Sequence, residues 1–97
     1  MMLSKSEIIS LLQKHLPGLQ EKYPLKTIAL FGSYARGEQR TNSDIDLLVE
    51  FTEPVGMEIV DLVLELEEIL DQPVDVVTYN AIKNRLFHRI KDELTYA

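Results

Sequence analysis

A glycine-serine pair and two alternating aspartates are the residues of this chain best suited to chemistry. Gly32 and Ser33 are followed, after a spacer of ten residues, by Asp44 and Asp46 in an otherwise apolar run. Aspartate is depleted from strands because its short side chain bonds to the local backbone, so this pair needs a reason. On a strand the two carboxylates share one face and can hold one divalent cation or bridge two. A turn at an isolated Asp-x-Asp is the plainer alternative, which the glycine-serine pair at this distance disfavours.

A third aspartate, Asp75, lies inside the valine-rich segment 73–79. If that segment forms a strand beside the one with Asp44 and Asp46, all three carboxylates converge. Neighbouring carboxylates repel each other unless a cation, a proton or solvent offsets the repulsion. Mg²⁺ suits such a site because it accepts a few carboxylates and leaves positions open for phosphate oxygens and water. Taken alone, Asp75 could also be an exposed acid that prevents edge pairing.

The glycine-serine pair predicts a phosphate-binding turn. Gly32 allows a sharp turn and a close approach of the backbone to a ligand, and the helix expected to begin at Ser33 favours an anion. Arg36, about one turn later, can contact phosphate or pair with an acid of the site, although a surface ion pair is its default role, as it is for Arg40. With two Mg²⁺ ions, this arrangement predicts attack of a hydroxyl on the α-phosphorus of a nucleoside triphosphate. Tyr34 receives no role from the sequence.

The elements that must position these residues alternate between helices and strands. The first helix begins at a capping box, Ser4 to Glu7, and Pro17-Gly18 is expected to end or kink it, with Tyr23-Pro24 closing the connection. The remaining pattern predicts strands over 27–31, 44–51 and 73–79, a short helix from Ser33, and helices over 57–70 and from Asn84 onward. We therefore expect a single α/β domain over residues 1–97, with helices packed on a small mixed sheet.

Composition excludes several classes of function. The 97-residue chain has a formal charge of -6 and no cysteine, which argues against direct nucleic-acid binding and rules out zinc-thiolate or cysteine chemistry. The N-terminal residues lack the pattern of a signal peptide, and no apolar run is long enough to span a bilayer. We therefore expect a cytoplasmic protein that does not associate with membranes. The helix over 57–70 has more apolar residues than one sheet face requires, which indicates a partner.

Three segments of the chain resemble the minimal nucleotidyltransferase family of the DNA polymerase β superfamily. They are Phe31 to Gly37, Ser43 to Val49, and Val74 to Val77 around Asp75. The resemblance covers nearly the whole chain and implies the polymerase-β-like nucleotidyltransferase fold. It implies that Gly32 and Ser33 bind the triphosphate of ATP, that Asp44 and Asp46 are metal ligands, and that Asp75 is a further ligand or the base toward the acceptor hydroxyl.

The resemblance also implies a partner. Such chains are commonly antitoxins to HEPN-domain ribonucleases encoded by a neighbouring gene, and they can transfer AMP to a tyrosine of that toxin. The acceptor-binding domain of larger members is missing from this sequence, so we expect the acceptor to arrive on another molecule. Two alternatives stay open: a non-catalytic antitoxin that neutralises its partner by binding, and nucleotidyl transfer to a small molecule or an RNA end.

Overall fold

Residues 3–82 and 85–97 are described by the structure, a computed structural model. Helices and strands alternate along these residues, as the periodicity predicts. The helices are α1 Lys5–Lys22, α2 Ser33–Arg36, α3 Glu58–Leu70 and α4 Arg85–Ile90, followed by a 3₁₀ turn at Lys91–Glu93. The strands are β1 Leu25–Phe31, β2 Ile45–Phe51, β3 Val74–Thr78 and β4 Thr95–Tyr96.

The four strands form one mixed sheet in the order β3-β2-β1-β4. β1 pairs antiparallel with β2 and β4, whereas β2 and β3 run parallel. The parallel pair needs a crossover connection, and α3 supplies it, since it lies between β2 and β3 in the chain. The predicted α/β architecture with a small mixed sheet is confirmed.

The two faces of the sheet carry different layers. Ile45, Leu47 and Val49 of β2 point toward the larger core, which they share with buried residues of α1, α2 and α3. Leu48, by the alternation of a strand, belongs to the second face, where it packs in a smaller cluster with Ala29, Ile82 and Ile90. The same alternation places Asp46 on this second face, under the C-terminal elements.

Pro17-Gly18 was expected to end or kink the first helix; the helix continues through Pro17, so the expected end was wrong. α1 starts at the predicted capping box, in which Ser4 and Glu7 bond each other's backbone N–H groups at 3.2 and 2.9 Å, and it ends at Lys22 before Tyr23-Pro24. Pro17 lacks an N–H group and lowers helix stability. The buried Leu12 and Leu19 on either side keep the helix packed, and this packing outweighs the lost hydrogen bond.

The C-terminal region also differs from the expectation of one helix from Asn84. Asn84 itself lies outside the described residues. α4 ends at Ile90, and after the 3₁₀ turn the chain forms β4 along β1, with Thr95 opposite Leu30 and a hydrogen bond of 3.0 Å from the Ala97 N–H to the Ile28 carbonyl. In the described ranges, none of the helices combines the length and apolarity that crossing a membrane requires.

Candidate active site

A glycine turn at the end of β1 forms one wall of the site. Gly32 has φ 78°, in the left-handed region that favours glycine, and leads directly into α2. Its neighbour Phe31 pairs with Asp46 across β1 and β2. A Cβ atom on Gly32 would collide with the Oδ2 atom of Asp46 and lie 2.9 Å from its Cγ. The absence of a side chain at Gly32 therefore makes the space that the carboxylate occupies.

The three predicted aspartates lie at one end of the parallel strands. Asp46 is directly opposite Asp75 in the β2/β3 register. Asp44 immediately precedes β2 rather than lying within it, so the prediction of a strand beginning at Asp44 was wrong by one residue. Asp44 and Asp75 are exposed, whereas Asp46 is half-buried.

Asp46 has an unfavourable environment for its charge. Burial, followed by the negative charges of Asp75 and Asp44, raises the pKa of Asp46 to about 6. Arg36 acts in the opposite direction but does not compensate. A carboxylate that is destabilised in this way gains from a nearby cation, and such perturbation is typical of functional sites.

Arg36 is bound by two glutamates rather than by the aspartates. Its Nη1 atom lies 2.9 Å from Oε2 of Glu93, and its Nε atom lies 3.2 Å from Oε1 of Glu38. The Gly32 N–H also donates to Oε2 of Glu93, at 3.0 Å. Sequence reasoning missed Glu93, because an acid next to Asp92 near the C-terminus belongs to no recognisable motif. Only the pairing of β4 with β1 brings Glu93 close to Arg36 and Gly32.

Tyr34 is buried and has a structural role, whereas Ser33 is partly accessible. The Tyr34 side chain is fully buried in the larger core, and its hydroxyl accepts a hydrogen bond of 3.0 Å from the Gln72 side-chain amide. This bond joins α2 to the segment that leads into β3, so Tyr34 holds the turn in place. Ser33 is half-buried at the start of α2. Arg40 is exposed in the loop before β2, where its N–H donates to the Ser43 hydroxyl at 2.9 Å.

The donor groups suit Mg²⁺ in type and charge. Carboxylate oxygens are its preferred protein ligands, and the pKa of Asp46 is raised first by burial and then by repulsion from Asp75 and Asp44, which a cation would relieve. Within residues 3–82 and 85–97, no three acidic, histidine or cysteine side chains lie close enough together to hold a metal ion by themselves. Mg²⁺ is usually held by one or two carboxylates together with substrate phosphates. The residues therefore fit a metal that is bound together with a nucleotide.

Sequence comparison places the chain among nucleotidyltransferases. The nucleotidyltransferase domain family matches residues 12–97. A Methanocaldococcus jannaschii protein, named provisionally as a protein adenylyltransferase, is 47% identical over 95 residues, which cover 94% of this chain and 95% of that protein. The protein adenylyltransferase MntA of Thermococcus cleftensis is 36% identical over 96 residues, covering 98% of this chain and 97% of that protein.

Solved structures agree with the sequence relatives. A chain named provisionally as a minimal nucleotidyltransferase superposes with a TM-score of 0.80 at 31% identity, covering 96% of this chain and 95% of that chain. A structure of tri-AMPylated Shewanella oneidensis HEPN toxin in complex with MNT antitoxin matches with a TM-score of 0.58 at 26% identity. That match covers 95% of this chain and 66% of the other.

Proposed function

The chain belongs to the nucleotidyltransferase domain family, and from this premise we propose that it is an antitoxin that transfers AMP from ATP to a tyrosine of a HEPN-type ribonuclease. The observation that carries this proposal is the register of β2 and β3, which sets Asp46 directly opposite Asp75 beside the Gly32 turn. Relatives named as protein adenylyltransferases and a structural relative in complex with an AMPylated HEPN toxin support the reaction and the partner.

The nucleotide phosphates are bound by a group that we name the anion cradle: the Gly32 N–H, Ser33 and the Arg36 guanidinium. Gly32 brings an N–H within reach of a ligand without a side chain in the way, and Arg36 adds a fixed positive charge on the same turn. The cradle holds the triphosphate so that its α-phosphorus faces the aspartates. Fixing the nucleotide in this way removes part of the entropic cost of bringing the reactants together.

The reaction replaces one phosphate bond by another. The tyrosine oxygen forms a bond to the α-phosphorus, the bond from that phosphorus to the β-phosphate oxygen breaks, and pyrophosphate leaves. Tyrosine has a pKa near 10, so its hydroxyl needs a base at neutral pH. Asp75, an exposed carboxylate opposite Asp46 in the neighbouring strand, accepts that proton, whereas the half-buried Asp46 lies deeper, against Gly32.

Asp44 and Asp46 are the carboxylates that would hold Mg²⁺, together with phosphate oxygens of the substrate, and Asp75 would be a further ligand only if it did not act as the base. Mg²⁺ held by these carboxylates would neutralise charge on the leaving pyrophosphate and would lower the pKa of the attacking hydroxyl. The electrostatic argument for a role as metal ligand is strongest for Asp46, because burial and its neighbouring aspartates raise its pKa to about 6.

The partner is bound by the outer surface of α3. Three large apolar side chains are exposed along this helix and its N-cap: Met57 at the N-cap by 79%, Val60 by 48% and Leu64 by 59%. Leu64 also lines a groove of about 700 Å³ between α1 and α3, together with His15, Lys22 and several acids. An apolar stripe next to acidic groups suits a partner with a mixed apolar and basic surface.

The partner ribonuclease from the neighbouring gene provides the direct test. We expect its intact mass to increase by one or more AMP groups after incubation with the chain, ATP and Mg²⁺, and not with the Asp46→Asn variant. Asp71→Asn is the matched control, since Asp71 has φ 52° at the end of α3, a conformation that asparagine adopts readily. Inhibition of an unmodified partner at equimolar ratio would favour the non-catalytic antitoxin instead, and modification of a small molecule or an RNA end would redirect the acceptor.

A further inference from the structure

The anion cradle is already bonded to a carboxylate of the chain itself. Oε2 of Glu93 accepts one hydrogen bond from the Gly32 N–H at 3.0 Å and one from Nη1 of Arg36 at 2.9 Å. This oxygen thus stands where an oxygen of a nucleotide phosphate would accept the same two bonds. Only 19% of the Glu93 side chain is exposed, so its carboxylate is largely shielded from solvent, whereas 46% of the Arg36 side chain is exposed.

The position of Glu93 is fixed by the C-terminal strand. Glu93 is the last residue of the 3₁₀ turn, and β4 begins two residues later and pairs with β1, with Thr95 opposite Leu30. Gly32 follows Leu30 by two residues, directly after the end of β1. The backbone therefore holds the carboxylate beside the cradle, and a rotation of the Glu93 side chain alone can break both bonds.

Glu93 and a nucleotide phosphate cannot both accept a hydrogen bond from the Gly32 N–H, because one N–H group donates a strong hydrogen bond to one acceptor. The Nη1 and Nε atoms of Arg36 already donate to Glu93 and Glu38, so while Glu93 stays in place a phosphate can reach only the remaining N–H groups of the guanidinium. The cradle also lies next to Asp46, which already experiences the negative charges of Asp75, Asp44 and Glu93. If Glu93 stayed in place, an entering triphosphate would therefore be repelled by several carboxylates whose negative charges are not compensated.

We propose that Glu93 is an internal competitor of the nucleotide, which occupies the anion cradle when no nucleotide is bound and leaves it when the triphosphate enters. This inference rests on the proposed function, because it requires that the cradle bind nucleotide phosphates. The role of Glu93 is to set nucleotide affinity: only a ligand that brings its own counter-cation and several phosphate oxygens displaces it.

The test compares Glu93→Gln with Glu38→Gln by titration calorimetry. Both changes remove one negative charge next to Arg36, but only the first weakens the bond to the Gly32 N–H. We expect Glu93→Gln to bind Mg-ATP about tenfold more tightly than the wild type, the size associated with one charged hydrogen bond, and Glu38→Gln to stay within about twofold. Adenosine, which has no phosphate, should bind to wild type and Glu93→Gln alike.

Two readouts separate failure of this inference from failure of the proposed function. Equal or weaker binding of Mg-ATP by Glu93→Gln, or an equal gain in Glu38→Gln, overturns the competitor role while leaving a nucleotide site in place. No binding of Mg-ATP by any variant overturns both, since no ligand would remain to be excluded. The NMR amide resonance of Gly32 should shift in nucleotide-free Glu93→Gln and not in Glu38→Gln, and an unshifted resonance would show that the contact does not form.

Discussion

The carboxylate of Asp46 fills the space that a side chain on Gly32 would need: a Cβ atom on Gly32 would collide with Oδ2 of Asp46 and lie 3.1 Å from its Cβ. The contact joins the two halves of the sequence motif, since Gly32 directly follows β1 and Asp46 lies in β2, opposite Phe31. The glycine is therefore required twice, for its φ of 78° and for the room that it leaves to the carboxylate. This double requirement explains why a glycine turn and an Asp-x-Asp strand belong together in one site.

Replacing Gly32 by alanine should destabilise the protein more than replacing Gly37 by alanine. Both glycines have positive φ, 78° and 70°, but no atom lies within 4 Å of a Cβ on Gly37. Gly37→Ala therefore measures the strain of an αL backbone alone, about 1 kcal/mol. Gly32→Ala adds the greater strain of its own backbone, with ψ -156°, and the cost of moving a packed carboxylate, so about 2 kcal/mol or more in all. Chemical denaturation gives both free energies of unfolding. Equal losses would show that Asp46 moves aside without cost.

Asp46→Asn should abolish AMP transfer without unfolding the protein. The substitution removes a proposed metal ligand, so transfer should fall by roughly a hundredfold or more. It also removes the charge that Asp75 and Asp44 repel, and the unfolding temperature in metal-free buffer should therefore stay the same or rise slightly. Turnover and thermal unfolding measured on the same preparation decide the matter. Loss of folding would mean that Asp46 is structural, and retained transfer would remove it from the metal site.

Stability should rise as the pH falls from about 7 to 5 in metal-free buffer. Because the pKa of Asp46 is raised to about 6, the folded state binds this proton more tightly than the unfolded state, and protonation stabilises the fold. Glu65 acts in the opposite direction, since Lys22 and Tyr23 lower its pKa; its contribution is lost only below the ordinary range of glutamate. The unfolding temperature of wild type minus that of Asp46→Asn, followed across this range, isolates the effect. A flat difference would contradict it.

Substituting Val60 and Leu64 of α3 by serine should weaken partner binding and leave nucleotide binding unchanged. Both side chains are about half exposed, so the fold loses little when they become polar. A partner that covers them would lose the burial of two apolar side chains, and its affinity should fall by about tenfold or more. Calorimetry with the ribonuclease and with Mg-ATP measures the two affinities separately. An unchanged affinity for the ribonuclease would exclude this surface.

The parts of the site that depend on residues close together in the sequence could be predicted from it. The apolar runs predicted β1, β2 and β3 to within a residue or two. Asp75 was expected beside Asp44 and Asp46, and the register confirms this for Asp46. These features depend on local alternation and on glycine, both of which are visible in the sequence. The roles of the six proposed site residues remain predictions.

The features that sequence reasoning missed depend on contacts between distant residues. α1 passes Pro17 because Leu12 and Leu19 are buried against the sheet, and packing of this kind cannot be read from proline alone. β4 has two residues, too few for a periodic pattern, and its pairing with β1 is what carries Glu93 to Arg36. Tyr34 likewise gained a role only from its buried bond to Gln72.

Asp75→Asn should stop AMP transfer to the tyrosine more completely than it weakens ATP binding. Asp75 is exposed and lies opposite Asp46, at the position from which a carboxylate can take the proton of an incoming hydroxyl. Loss of a base affects the transfer step, whereas the anion cradle continues to hold the phosphates. Intact-mass spectrometry of the ribonuclease measures transfer, and calorimetry with Mg-ATP measures binding. If both fall by the same factor, Asp75 acts through the bound metal and nucleotide, and the proton acceptor must be sought in the partner.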